Sequence, residues 1–484
     1  MKRNFRIAIV LAIGMMAAAS CSQSKPANAP VLTVSGGKIQ GIATEKPGVY
    51  AYKGVPYAAA PVGDLRWKAP QPVQPWNYVM KTDDYANASW QNAPHGTGGY
   101  TGEFYWNGNP NFSEDCLYLN VWTTAPGQTG KKLPVAMWIH GGGYMQGWGF
   151  EKEMQGEEWG AKDVVLVTIN YRLGIFGFLT HPLLAEESEN HVSGNHGLLD
   201  QIAALKWIKE NITQFGGDPD NITVFGQSAG AGSVQNLVTS PLSKGLIAKA
   251  IIQSGGGLAD RPFIGGGNPE ETLQATKDLM DWAGYTTLEK MRAASTTDIA
   301  NLGNKYREAT GKFARTAGAP TIDGYVLEKD FNTAAKEDEI ADIPYMIGYT
   351  QDDMGDMSEP VAAFCLKREQ AGGVAYAYQF ARPLPTDGRP GAMEGAFHSS
   401  ELWYTFKSLK NSWRPFTEGD YALSEHMLTA WTNFAKYGDP QGGWMPYTAE
   451  SPKFMVFKVN EDASADASAL GKPVASSVKR GFPF

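Results

Sequence analysis

Short apolar runs alternate along this chain with stretches whose apolar residues return at helical spacing. The runs at 135–139, 164–170, 222–225 and 250–253, and later at 344–349, 376–380 and 454–459, are nearly continuous in apolar residues. Such composition suits strands covered on both faces; a half-exposed strand would alternate. Residues 198–215 carry Ile202, Leu205, Ile208 and Ile212 at helical spacing and read as a crossover helix. The alternation predicts the α/β class, with a central, mostly parallel, twisted sheet and helices on both faces. The start differs: 31–34, 38–42 and 50–52 read as short hairpin strands around Gly36-Gly37 and Pro47-Gly48.

Two regions break the pattern. Residues 90–112, rich in Gly, Asn and aromatics such as Tyr100, Phe104, Tyr105 and Trp106, read as a long ordered loop, and such loops are commonly functional. Residues from about 269 to 316 are helical and more polar, which predicts a helical cap over one end of the sheet.

The N-terminus carries targeting chemistry. Lys2, Arg3 and Arg6 precede an apolar stretch over 7–19, too short to span a bilayer comfortably and suited to a signal-peptide core. It ends in Ala18-Ala19-Ser20-Cys21, which resembles a bacterial lipobox with Ala18 where Leu is usual. That resemblance implies a signal peptide over 1–20, a lipid anchor on Cys21, a polar tether over 21–30, and an exported periplasmic or membrane-anchored lipoprotein. A plain secretory signal cut nearby is the alternative. Residues 31–484 then form a single catalytic domain, since large α/β enzymes often build one core with excursions.

Composition excludes more than it selects. A net charge of −8, with no basic run beyond the first six residues, argues against a nucleic-acid partner. The 14 Trp, 21 Tyr and 21 Phe are expected mostly in the core. Of three cysteines, Cys116 and Cys365 are too few for a disulfide framework, and no C-x-x-C metal or redox motif exists.

Gly226-Gln227-Ser228-Ala229-Gly230 has the Gly-x-Ser-x-Gly form. With 55 glycines in the chain the pattern alone is weak. Its context gives it meaning: a strand lies directly before it and a helix can start after it. A nucleophile elbow needs this strand-turn-helix, with small residues two positions either side of the serine. His140-Gly141-Gly142-Gly143 follows another core strand. No Gly-Lys-Ser/Thr follows, so a phosphate cradle does not fit. A loop offering N–H groups to an oxyanion does, with Gly142, Gly143 and Ala229 as donors.

The α/β-hydrolase fold orders its triad as Ser, then Asp or Glu, then His. Only His398 and His426 of the seven histidines lie after Ser228. His426 sits among Leu423, Met427, Ala430 and Trp431 at helical spacing and reads as structural. His398, in Gly-Ala-Phe-His-Ser-Ser-Glu, is loop-like and suits a base at the sheet edge. The acid should follow a later strand. Asp352, Asp353 and Asp356 all follow 344–349, and sequence geometry alone does not choose among them.

Together these motifs resemble the type-B carboxylesterase family, which includes cholinesterases and bacterial para-nitrobenzyl esterases. The resemblance covers most of the chain after Val31. It rests on Gly54-Val55-Pro56-Tyr57-Ala58, Leu65-Arg66-Trp67, Ser113-Glu114-Asp115-Cys116-Leu117-Tyr118-Leu119-Asn120-Val121, Asn170-Tyr171-Arg172-Leu173-Gly174, Gly194-Asn195-His196-Gly197-Leu198-Leu199-Asp200-Gln201, Gly395-Ala396-Phe397-His398 and the two glycine motifs. It implies ester hydrolysis of a small-molecule substrate through an acyl-enzyme, without metal or cofactor, by Ser228, Asp353 and His398; Asp352 is the weaker acid candidate. It implies ion pairs Arg66–Glu114 and Arg172–Asp200, and a hydroxyl near the acid from Ser254. Cys116 occupies a family disulfide position, but Ser89 stands about where its partner would fall. The segment between Asp353 and His398 is short for the family, which implies a more open site. The family also holds adhesion members that keep the fold and lose the nucleophile; here all three triad residues are present.

Overall fold

The structure is a computed structural model and describes residues 27–105, 108–259, 269–311, 318–459 and the strand 471–475. The expected signal peptide, Cys21 and most of the expected tether lie outside the described residues, as does Trp106.

Fifteen strands are described. The first seven are β1 (Asn28–Val34), β2 (Gly37–Ala43), β3 (Tyr50–Pro56), β4 (Val79–Lys81), β5 (Ala88–Ser89), β6 (Phe112–Ser113) and β7 (Tyr118–Thr123). The next four are β8 (Leu133–Ile139), β9 (Val165–Ile169), β10 (Gly217–Gln227) and β11 (Lys249–Gln253). The last are β12 (Tyr345–Thr350), β13 (Ala375–Phe380), β14 (Lys453–Phe457) and β15 (Gly471–Ala475). All but β5 and β6 join one sheet, in the order β1-β2-β3-β7-β9-β8-β10-β11-β12-β13-β14-β15, with β4 beside β2. From β9 to β14 every pairing is parallel, while β1, β2, β3, β7 and β9 pair antiparallel. The fold is therefore the expected α/β-hydrolase sheet. Pairing starts at Asn28, which registers with Ile42, so residues 28–30, assigned above to the tether, belong to the first strand.

Strand β7 was not among the expected strands. Its sequence Tyr-Leu-Asn-Val-Trp-Thr carries Asn120 amid apolar residues. The asparagine is satisfied: it accepts from Gly54 N at 2.9 Å and donates to Thr168 Oγ1 at 3.1 Å, so it costs the buried strand little. The crossover helix runs His196–Asn211 and ends in a 3-10 turn, Ile212–Phe215.

The aromatics are largely core, as expected: Trp122, Trp138, Trp159, Trp403 and Trp431 are fully buried. The cap is present as the helices Pro269–Trp282, Leu288–Ala293, Thr296–Ala300 and Leu302–Thr310, whose Leu279, Met280, Met291, Ile299 and Leu302 pack with Trp67, Phe176 and Leu184 in a separate apolar cluster. Both implied ion pairs exist. Arg66 meets Glu114 through two bonds of 2.7 and 2.6 Å and spends its remaining nitrogen on carbonyls of Met291, Arg292 and Ala294, so this pair clasps the cap. Arg172 meets Asp200 at 2.8 and 2.7 Å with both side chains buried. Such a pair stabilises mainly by leaving no buried charge alone.

The 90–112 loop is more structured than its composition suggested. It contains a helical turn, Gly99–Phe104, whose Glu103 is buried, takes three bonds of 2.7–3.0 Å from Arg414 and one of 2.9 Å from Trp403 Nε1. The loop is thereby tied to the segment after His398. Cys116 and Cys365 are free and buried, and burial pushes the Cys116 thiol up to about 12.

Candidate active site

The parallel register brings several strand ends to one rim. Ile139 of β8 pairs with Gly226 of β10, Gln227 with Gln253 of β11, and Gln253 with Gly348 of β12. Ser228, Ser254 and the acidic loop after Thr350 therefore emerge side by side at the carboxyl edge, beside His140 and its glycines. Ligands in open α/β sheets sit at this edge.

Ser228 stands between β10 and the helix Ala229–Thr239 with φ 58° and ψ −124°, a backbone conformation uncommon outside glycine. The turn is held by Ser228 N donating to Gln253 O at 2.9 Å. It also depends on close backbone approach: a Cβ on Gly230 would stand 2.0 Å from Ile139 O, which explains the small residue there. Ser228 is buried, with 8% of its surface exposed.

The glycine loop lies against the elbow. A Cβ on Gly141 would stand 3.1 Å from Ser228 Cβ. Gly142 has φ 94° and folds so tightly that a Cβ would meet Gln146 O at 2.0 Å, while the same position on Gly143 faces open space. Ala229, the first helical residue, has no intrahelical acceptor for its N–H, and the helix dipole adds positive potential at that end. The glycine loop thus packs against the elbow at Gly141, and Ala229 opens the helix that follows the serine.

The structure separates the three carboxylates that sequence geometry left open. Asp353 Oδ1 accepts from His398 Nδ1 at 2.6 Å and from Met354 N at 2.8 Å, and its Oδ2 accepts from Thr350 N and Oγ1. Asp352 instead bridges to the histidine loop, exchanging bonds with Ala396 of 2.8 and 3.0 Å. Asp356 caps Ser358. Burial drives the Asp353 carboxyl upward, but the His398 bond and charge, the Ser254 hydroxyl and the Met354 amide outweigh it and hold Asp353 below its ordinary value. Asp353 is therefore ionised and fixes Nδ1 as the protonated nitrogen.

His398 Nε2 does not bond to Ser228 Oγ here; it lies 3.2 Å from Gln227 Nε2. His140 is no rival base: it is stacked on Tyr171, and burial lowers it to about 4. His426 lies in the helix Glu418–Tyr437, as expected.

Buried acids that the sequence reading passed over surround the site. Glu401, three residues beyond His398, is wholly buried and pushed up to about 7 by burial and by the Asp353 charge. Glu151 and Glu153, just past the glycine loop, are both raised by burial, and the Glu151 charge raises Glu153 further. Glu151 Oε1 accepts from Trp148 N at 3.0 Å and Tyr105 OH at 3.3 Å. Carboxyls raised in the folded state contribute their stability below the ordinary 4.5 and lose it as pH rises through the folded value. Glu153→Gln is therefore expected to melt at a higher temperature than the parent at pH 8, with the gain shrinking at pH 5. Thermal melts at the two pH values check this; a pH-independent difference would count against it.

A cavity of about 330 Å³ adjoins the glycine loop through Met145 and Gln146 and is walled by Trp90, Phe176 and Ile299. A larger one, about 720 Å³, lies by Trp76 and Tyr78 and is lined by no candidate catalytic residue. Among the described residues no cluster of His, Cys, Asp or Glu suits a metal ion.

The chain matches the model of the carboxylesterase family over residues 28–362 and 356–472. It is 32% identical to the para-nitrobenzyl esterase of Bacillus subtilis, over 88% of this chain and 94% of that one. It is 34% identical to the fumonisin B1 esterase of Sphingopyxis macrogoltabida, over 84% and 82%. Among solved structures, a thermophilic para-nitrobenzyl esterase superposes with a TM-score of 0.75 at 30% identity, covering 89% of this chain and 96% of that one. A Geobacillus stearothermophilus carboxylesterase gives 0.71 at 29% identity, over 89% and 96%. With its sheet, its elbow and its glycine loop, this chain belongs to the carboxylesterase family of ester-hydrolysing enzymes.

Proposed function

We propose that this protein hydrolyses carboxylic esters through a covalent acyl-enzyme, with Ser228 as nucleophile, His398 as base and Asp353 as its orienting acid. Ser228 Oγ attacks the ester carbonyl carbon while His398 Nε2 takes its proton. The carbonyl oxygen, now negative, is received by the N–H groups of Gly142, Gly143 and Ala229. The tetrahedral centre collapses, the alcohol leaves with the proton from Nε2, and water then cleaves the acyl-serine by the same route. The 2.6 Å contact between His398 Nδ1 and Asp353 carries the reading, because it leaves Nε2 of a neutral ring as the basic nitrogen beside the elbow. The names of the relatives support ester bonds in general and do not select an acyl or alcohol group. A fluorophosphonate probe tests the scheme: labelling of Ser228 with loss of esterase activity supports it. An intact chain that never labels supports a non-catalytic binding role.

We also propose export and anchoring through Cys21. Cys21→Ala is expected to move the protein from the membrane fraction to the soluble one; equal membrane retention of the variant rejects the anchor.

A further inference from the structure

We propose that Gln227 is a positioning residue for the base: its side-chain amide lies against His398 Nε2, the nitrogen that must accept the Ser228 proton, and holds that nitrogen as an unprotonated acceptor. The proposal rests on the esterase reading above.

The polarity of the contacts fixes the argument. Gln227 is 1% exposed, and its Nε2 lies 3.2 Å from His398 Nε2. An amide nitrogen only donates, so the ring nitrogen facing it must accept. The amide is tied to the histidine loop: its Oε1 accepts from Ser399 Oγ at 2.9 Å, and Ser399 Oγ in turn accepts from Tyr100 OH at 3.3 Å. At the opposite end of the ring Nδ1 donates to Asp353. In this arrangement every donor from Tyr100 to His398 points the same way, and the chain of bonds closes on Asp353 with the imidazole proton on Nδ1. A proton on Nε2 would set N–H against N–H. Hydrogen bonding to the neutral form disfavours the charged one. Gln227 thus holds Nε2 as the acceptor nitrogen and yields when the Ser228 proton arrives. The other ionisable groups facing this ring are Asp353 on the acid loop and Glu401 on its own segment, with Tyr100 at the far end through Ser399.

The test is the pH profile of kcat/KM for para-nitrophenyl acetate between pH 5 and 9, using the full chain. Gln227→Glu places an acceptor against Nε2 and is expected to move the acidic limb up by roughly one pH unit. Gln227→Met, which removes the donor, is expected to move it in the same direction by less. Both shifts should persist in a Glu401→Gln background, which removes the other carboxyl raised towards the same range. An acidic limb that stays in place in both variants, with only a uniform loss of rate or stability, overturns the proposal. If Gln227→Met does not fold, Gln227→Leu, which likewise removes the donor without adding charge, takes its place. A parent enzyme that neither hydrolyses the ester nor labels with fluorophosphonate removes the esterase reading and the inference together, and is seen before any variant is made.

Discussion

Ser228→Ala is expected to lower kcat on a para-nitrophenyl ester roughly ten-thousand- to a million-fold while leaving the fold intact. The alanine methyl fits where the serine side chain stands, and Ser228 Oγ makes no hydrogen bond among the described residues, so its loss leaves no buried partner unsatisfied. The proposed donors Gly142, Gly143 and Ala229 remain, and with substrate binding they are expected to sustain a residual rate above the uncatalysed one. Steady-state kinetics together with an unchanged melting temperature check both halves. Hydrolysis at the parent rate would remove Ser228 from the mechanism altogether.

Asp353→Asn is the second large effect, an expected drop in kcat of roughly ten-thousand-fold. The carboxylate accepts from Met354 N, His398 Nδ1 and Thr350 at once, and an amide can present only one acceptor oxygen to these donors. If the amide nitrogen turns towards the imidazole, the ring must accept there and carry its proton on Nε2, the wrong tautomer for a base. Asp352→Asn is the control. Asp352 accepts one main-chain bond, from Ala396 N, which an asparagine oxygen can also accept, so kcat should change by less than about threefold. Equal losses in the two variants would show that the acid was assigned to the wrong neighbour.

Much of this was legible in the chain. The parallel strands announced themselves because strands covered on both faces are almost purely apolar, and the elbow because close backbone approach demands glycine at Gly226 and Gly230. The proposed base was reachable by chain order, with only two histidines after Ser228. The acid was not: Asp352, Asp353 and Asp356 lie within five residues on one turn, and only three-dimensional register decides which carboxylate meets an imidazole from a distant loop. Family resemblance implies Asp353, and Asp353 is the carboxylate in contact with His398 Nδ1. Strand β7 escaped because its asparagine breaks the apolar run, and its partners, Gly54 and Thr168, come from strands far away in sequence. Gln227 was in view as the variable letter of a motif, yet its contact with His398 depends on a loop that returns after 170 further residues. Glu103, Glu151 and Glu153 carry no signal in the sequence, because burial of a charged side chain leaves no mark in local composition.

The torsion at residue 228 has a further consequence. A side chain held at φ 58° and ψ −124° costs on the order of 1–3 kcal/mol, which the surrounding sheet and helix must absorb. Alanine at 228 would keep that cost, whereas Ser228→Gly, which removes the Cβ that makes the bend strained, is expected to give an inactive chain that melts higher than the parent.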